Sequence, residues 1–289
     1  MGIGAQQFDQ DFAKFNYQGT LSEQGVQLFR HVINEYYQQQ GRYFPWRATD
    51  NPYHIVVSEI MLQQTQTERA ISKYEQFILQ LPSFHALADV SARDLLTLWS
   101  GLGYNRRALF LQKIAQKVVH EHAGVLPADP QLLQTFPGIG PGTAGSICAF
   151  AYNLPTVFIE TNIRTVFIHT FFKHEQRVND KALMPLIAQT VDQKNARHWY
   201  YALMDYGVML KKKYKNPSRL SVHHTKQSTF EGSERQIRGQ IIKLLTEHSA
   251  LPFEYLVALT GRERARVEKN LHALCLEGLV KQTDDLYHL

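Results

Sequence analysis

The stretch FPGIGPGTAG at positions 136–145 constrains this chain more than any other. Two glycines flank one apolar residue in Gly138-Ile139-Gly140. Glycine enters the positive-φ region without a steric penalty, so the spacing predicts a tight turn with positive φ at both glycines, plugged by Ile139. Pro141 suits the first turn of a following helix, and Gly140, Gly142 and Thr143 place backbone N–H groups at its start. Such a helix start is a seat for a phosphate oxygen. A bare GxG would equally suit an ordinary turn between helices, and it is the full string that favours the phosphate reading.

Around that turn the chain reads as a succession of helices. Thr20 with Glu23 predicts a capping box, opening a helix with Val26, Phe29, Ile33, Tyr36 and Tyr37 on one face that ends near Gly41. FPWR at 44–47 precedes a loop, and HIVVSEIMLQQTQT at 54–67 is an apolar run interrupted by Glu59. Helices are expected at 68–80, 84–89 and 91–99, the last capped by Ser91 and Asp94 and broken by Gly101 and Gly103. Residues 105–123 carry Leu111, Ile114, Ala115, Val118, Val119 and His122 at helical spacing, a core stripe and not a ligand set. Asp129-Pro130 opens a short helix leading into the turn, and helices at 142–153, 161–173, 180–192 and 196–210 follow. Glu160 stands at the start of the second of these, and Lys211, Lys212, Lys213, Tyr214 and Lys215 follow the last.

Residues 214–233 are polar and read as a linker. Beyond them come a helix at 234–248, a short helix from Pro252, a turn at Thr260-Gly261, a basic helix at 262–277 and a terminal two-stranded ribbon. This order resembles a winged helix, a module that contacts DNA or protein, with Arg262, Arg264, Arg266 and Lys269 on its third helix. The expected organisation is all-α: an N-terminal arm 1–19, a helical core 20–213, the linker 214–233 and a winged-helix-like domain 234–289.

Composition sets outer bounds. A chain of 289 residues suits one large or two modest domains, and its net charge of +5 permits a polyanionic partner without requiring one. Cys148 and Cys275 lie far apart in apolar contexts, which excludes a disulfide framework and a four-cysteine metal or iron–sulfur site and suits buried structural thiols. No apolar run reaches about 18 residues, so no membrane-spanning helix is expected. The start MGIGAQQFDQDF has no charged-then-apolar signal pattern; a cytoplasmic, nucleoid-associated monomer is the expectation.

With the turn, SEIMLQQTQT at 58–67 and LWSGLGYNRRA at 98–108 in hand, residues 25–210 resemble the helix-hairpin-helix base-excision DNA glycosylases, in particular the MutY-type adenine glycosylases. The resemblance implies double-stranded DNA carrying a mismatch or lesion as partner, gripped through its sugar-phosphate backbone by Gly138, Gly140, Gly142 and Thr143. It makes Glu59 the general acid that protonates the adenine ring, a role that burial within IVVSEIML suits because loss of water favours the neutral carboxyl. Glu160 falls where the family has an aspartate that stabilises the oxocarbenium-like transition state, and a helix start favours a carboxylate there. Tyr152 and Asn162 match positions that hold this carboxylate, while Gln63, Gln64 and Tyr104 match the wedge that fills the gap left by a flipped base. Arg106, Arg107, Lys211 and Lys212 are expected at phosphates.

Three departures from the family pattern carry expectations of their own. Gly142 replaces the lysine of the strand-cleaving relatives, which implies a monofunctional enzyme that leaves an abasic site. KKKYKNPS stands where the iron–sulfur cysteines would be, so no such cluster is expected, and the hairpin carbonyls offer a place for a monovalent cation. By the resemblance the domain that recognises 8-oxoguanine is missing, and the winged-helix-like tail with its basic third helix is expected to take its place. The function implied is hydrolysis of the N-glycosidic bond of a flipped adenine opposite guanine or 8-oxoguanine. Alternatives on the same scaffold are a thymine or uracil mismatch glycosylase, and a non-catalytic lesion-binding protein if glutamate cannot replace the aspartate.

Overall fold

The computed structural model describes residues 16–17, 19–214, 216–225 and 229–289; the expected arm over 1–15, Lys215 of the basic run and positions 226–228 of the linker fall outside them. Among the described residues the protein is mostly helical, and it divides into two compact units that alternate along the chain. Among the described residues, one comprises 16–17, 19–50, 128–134, 139–214 and 216–225, the other 51–127, 135–138 and 229–289.

The first unit opens with β1 (Asn16–Tyr17) and β2 (Thr20–Leu21), an antiparallel pair with Asn16 opposite Leu21. Helix α1 (Glu23–Gln40) follows, but its cap is Ser22, whose side chain accepts from the Gly25 N–H. Thr20 is already committed to the strand pair, so the predicted capping box does not form. The first unit also contains α7 (Pro130–Leu133), α8 (Pro141–Tyr152), α9 (Thr161–Phe171), α10 (Asp180–Thr190) and α11 (Ala196–Lys213). Phe29 of α1 is fully buried, its ring edge-on to Phe167 of α9 and Trp199 of α11 at centroid distances of 5.3 and 5.8 Å. The FPWR segment docks through charge: Asp205 on α11, 1% exposed, accepts from Arg42 Nε and Arg47 Nη1, each at 2.9 Å. Burial alone would raise the Asp205 pKa, but the Arg47 and Arg42 guanidinium groups outweigh it and hold the carboxyl below its usual value.

The second unit holds α2 (Pro52–Leu62), α3 (Thr67–Gln80), α4 (Phe84–Asp89), α5 (Ala92–Trp99) and α6 (Arg106–Glu121). The α6 stripe is buried from Ala108 to Val118, while Val119 and His122 are only half-buried. The same unit includes α12 (Glu234–Glu247), β3 (Leu251–Pro252), α13 (Phe253–Thr260), α14 (Arg264–Leu276), β4 (Lys281–Thr283) and β5 (Leu286–His288). The expected two-stranded ribbon gains a third member: β5 pairs antiparallel with both β4 and β3, in the order β3-β5-β4. Three helices and a small sheet thus make up the C-terminal part, in the element order expected there. Arg93 of α5 anchors it, donating to the carbonyls of Leu245 and His248 at 3.2 and 2.9 Å.

Candidate functional site

Glu160 is the N-cap of α9, and its longer side chain curls back over the helix start. Oε1 accepts from the backbone N–H groups of Asn162 and Ile163 at 2.7 and 2.8 Å, and Oε2 accepts from Asn162 Nδ2 at 3.2 Å. The segment leading to Glu160 is fastened from both sides, since Thr156 donates its hydroxyl to the Gly145 carbonyl at 2.7 Å and Tyr200 donates to the Thr156 carbonyl at 2.6 Å. Gly145 is required there: a Cβ would fall 2.6 Å from Phe158 Cβ.

Lys211 was expected at a phosphate, yet its ammonium donates to Asn162 Oδ1 at 2.7 Å and so orients the amide that faces Glu160. Burial lowers the Lys211 pKa, with Arg164 acting in the same direction and Glu160 opposing it. The approach of α11 to α9 depends on Gly207, where a Cβ would stand 2.4 Å from the Asn162 carbonyl oxygen. Tyr152, the last residue of α8, is half-buried; burial pushes its phenol up to about 12, with Cys148 adding to the shift, so it stays protonated at neutral pH. Lys212 and Lys213 are exposed.

Glu59 belongs to the second unit. It is the single acid in α2, half-buried among the fully buried Val56, Val57, Ser58, Ile60 and Met61. Beyond the end of this helix stand Gln63 and Gln64, and beyond α5 stands Tyr104. Both Gln64 (φ 57°) and Tyr104 (φ 49°) adopt the left-handed conformation that side-chain-bearing residues rarely take. Strained backbone of this kind persists where neighbouring structure enforces it.

Here the enforcing residue is Arg107, which the sequence grouped with Arg106 as a phosphate contact. It is 7% exposed. Its Nη1 donates to the carbonyls of Ile60, Met61 and Gln63 at 3.0, 2.9 and 2.6 Å. Its Nη2 donates to Thr65 Oγ1 and to the carbonyls of Leu102 and Gly103 at 3.1, 3.2 and 2.9 Å. One buried guanidinium thus ties the Gln63–Thr65 turn to the Leu102–Gly103 turn, and burial lowers its pKa to about 10. Both terminal nitrogens are spent on the protein, which turns the guanidinium away from a phosphate role. The dipeptide Arg106-Arg107 gave no sign of this, because only the fold decides which arginine turns inward.

In the hairpin, Gly138 has φ +75° and a Cβ on it would fall 2.6 Å from Phe110 Cδ2, so glycine is needed twice over. Gly140 departs from expectation: it is extended (φ −88°, ψ 175°), and a Cβ there would meet nothing within 4 Å. Gly140 instead serves as N-cap of α8 without a side-chain capping bond. Ile139 is buried as the plug. Gln63 Nε2 donates to the Gly138 carbonyl at 3.3 Å, and the exposed Arg106 stacks on Phe110, 4.9 Å from its ring centroid.

The basic third helix of the tail is largely neutralised. Arg264 pairs with Glu254 at 2.7 Å and Arg266 with Glu234 at 2.6 Å, while Arg262, which precedes α14, donates to Gln236 and Gln240. Of the two thiols, Cys148 is fully buried and Cys275 half-buried. No helix among the described residues is long and apolar enough to cross a membrane.

Residues 57–191, a span containing Glu59, the hairpin and Glu160, match the family model "HhH-GPD superfamily base excision DNA repair protein". An adenine DNA glycosylase of Buchnera aphidicola is 33% identical over 187 residues, which are 63% of this chain and 52% of that relative. The adenine DNA glycosylase of Mycobacterium tuberculosis is 28% identical over 297 residues, covering 92% of this chain and 95% of the relative. The chain therefore spans about half the length of the first relative and nearly all of the second. Among solved structures, a thermostable thymine-DNA glycosylase superposes with a TM-score of 0.59 at 22% identity over 66% of this chain and 90% of its own, a likeness of fold. Helical architecture and glycine hairpin thus accord with the match of residues 57–191 to the HhH-GPD superfamily of base-excision DNA repair proteins.

Proposed function

We propose that this protein is a monofunctional DNA glycosylase that hydrolyses the N-glycosidic bond of an adenine mispaired with guanine or 8-oxoguanine. The observation that carries the proposal is the pair of carboxyl groups in contrasting settings, Glu59 within buried apolar helix and Glu160 held by three N–H donors, both inside the span matched by the family model. Relatives called adenine DNA glycosylases, one matching along nearly its whole length, support adenine as the base.

In this reading Glu59 delivers a proton to the ring of the extruded adenine, so that the base departs as a neutral leaving group. Positive charge then develops on the deoxyribose. Glu160 answers that charge: its Oε1 is occupied by two backbone donors, which fixes the carboxylate and leaves Oε2, which accepts from the Asn162 amide, to face a sugar cation. Lys211 keeps the Asn162 amide turned the right way. Water completes the hydrolysis, and with Gly142 in place of an amine the abasic strand stays intact.

Gly142 and Thr143 at the helix start, with Arg106 and Lys212, bind the DNA backbone, and Gln64 and Tyr104 fill the space the base vacates. No iron–sulfur cluster takes part in this reading.

Single-turnover assays on duplexes carrying adenine opposite 8-oxoguanine, adenine opposite guanine, thymine opposite guanine and uracil opposite guanine test the proposal. Release of adenine with an alkali-labile but unbroken strand is the expected result. Release of a pyrimidine alone, or tight binding without release, contradicts it.

A further inference from the structure

The winged-helix tail has no role in the chemistry above, yet it reaches the wedge. Arg235, in the first turn of α12, donates from Nη1 to the Tyr104 hydroxyl at 2.7 Å, and its guanidinium carbon lies 5.3 Å from the centroid of the Tyr104 ring. At the other end of α12, the Leu245 and His248 carbonyls are held by Arg93 of α5. The helix is therefore pinned at both ends to the segment that carries Tyr104. Arg107 fastens the turn just before Tyr104 through the Gly103 carbonyl, with its guanidinium carbon 5.6 Å from the same ring.

The backbone at this point is strained and glycine-rich. Tyr104 at φ 49° follows Gly101 and Gly103, at φ 91° and 69°, so little local preference keeps the ring in one place. A side chain on such a turn needs a tertiary partner to hold a single orientation. Between α12 and the two turns lies a cavity of about 470 Å³, lined by Gln64, Tyr104, Phe230, Arg235 and Lys243 among others, with no carboxylate among the described residues of its wall. The ring of Tyr104 thus stands at the edge of open space, and Arg235 is what steadies its hydroxyl end.

We propose that Arg235 is a positioning residue for base extrusion: through its hydrogen bond to Tyr104, the C-terminal module sets the orientation of the wedge that replaces the flipped base. The inference rests on the reading of Tyr104 as part of that wedge. It assigns the tail a contribution to the core reaction through a side-chain contact, independent of any DNA contact by α14. That independence fits the pairing of Arg264 and Arg266 with acids.

The test compares the full chain with Tyr104→Ala, Tyr104→Phe, Arg235→Met, Arg235→Lys and the Tyr104→Phe/Arg235→Met double variant. The readout is stopped-flow fluorescence of 2-aminopurine placed beside the mispaired adenine, alongside single-turnover base release and thermal melting. Arg235→Met and Tyr104→Phe are each expected to slow extrusion about tenfold, the scale of one charge-assisted hydrogen bond. The double variant slows it no further, Arg235→Lys recovers most of the rate, and melting temperatures stay within a few degrees. If Tyr104→Ala impairs extrusion while Arg235→Met does not, or if the two single effects multiply in the double variant, the positioning role is overturned and the wedge reading stands. If Tyr104→Ala leaves extrusion unchanged, the wedge reading fails and the inference fails with it.

Discussion

Glu59 and Glu160 are the same side chain placed by two opposite devices. Glu59 sits within a helix, where every backbone donor is already used and the neighbours on either side, Ser58 and Ile60, are buried. Glu160 sits before a helix, where orphan N–H groups seek an acceptor and find its Oε1. A helix interior has no backbone donor left to offer a carboxyl, whereas a helix start surrounds it with donors. The chain builds both settings from helices alone, and the proposed division of labour between acid and anion follows from it.

The comparison is sharpest where one carboxyl is neutralised at a time. Glu59→Gln keeps shape and removes the proton, and single-turnover adenine release should fall about 10³-fold with duplex affinity unchanged. Glu160→Gln removes the charge but leaves an oxygen to cap α9, with an expected loss of about 10²-fold. A loss for Glu160→Gln that exceeds the loss for Glu59→Gln would reverse the assignment of the dominant role.

The setting of Glu160 can be disturbed without touching it. Gly207→Ala drives a methyl group against the Asn162 carbonyl and should cost about 1–3 kcal/mol of stability, measured by denaturant titration, together with a drop in adenine release. Wild-type stability in this variant would mean that α11 need not approach α9 so closely.

The smallest effect expected is on stability at Lys211. Its folded pKa is depressed, so the native state holds that proton less well than the unfolded chain. The lysine's contribution to stability is therefore fully present above the unfolded value of 10.5 and is lost as pH falls through the depressed folded value. Lys211→Met should lower adenine release several-fold through the freed Asn162 amide while melting no lower than the parent at neutral pH. Relative to that variant, the parent should gain stability as pH rises toward 10.5. Thermal melts of both proteins across that range provide the check.

Much of the fold was legible because helix boundaries are written in local chemistry. Ser91 caps α5 through the Asp94 N–H, and Asp129 caps α7 through the Gln131 N–H, as their spacing predicted. The helix 84–89 was placed to the residue. What escaped the sequence depended on partners far along the chain. Ser22 won the α1 cap because Thr20 pairs across a two-residue strand. Arg107 turned inward because six acceptors from the end of α2 and two turns converge on it, and Lys211 turned toward Asn162 because Gly207 lets two helices close up. The pairing of Arg264 and Arg266 with Glu254 and Glu234 likewise follows from packing within the tail, which a count of positive residues does not contain.

The central claim is that Glu59 acts as an acid on the adenine ring. Its most direct test is single-turnover release of adenine against 7-deazaadenine, each opposite 8-oxoguanine, by the parent protein and by Glu59→Gln. Replacing N7 by C–H removes a ring acceptor and little else. The account predicts rapid release of adenine by the parent alone, with 7-deazaadenine bound but retained by both proteins. Release of 7-deazaadenine at a rate near that of adenine, or adenine release by Glu59→Gln near the parent rate, would contradict it.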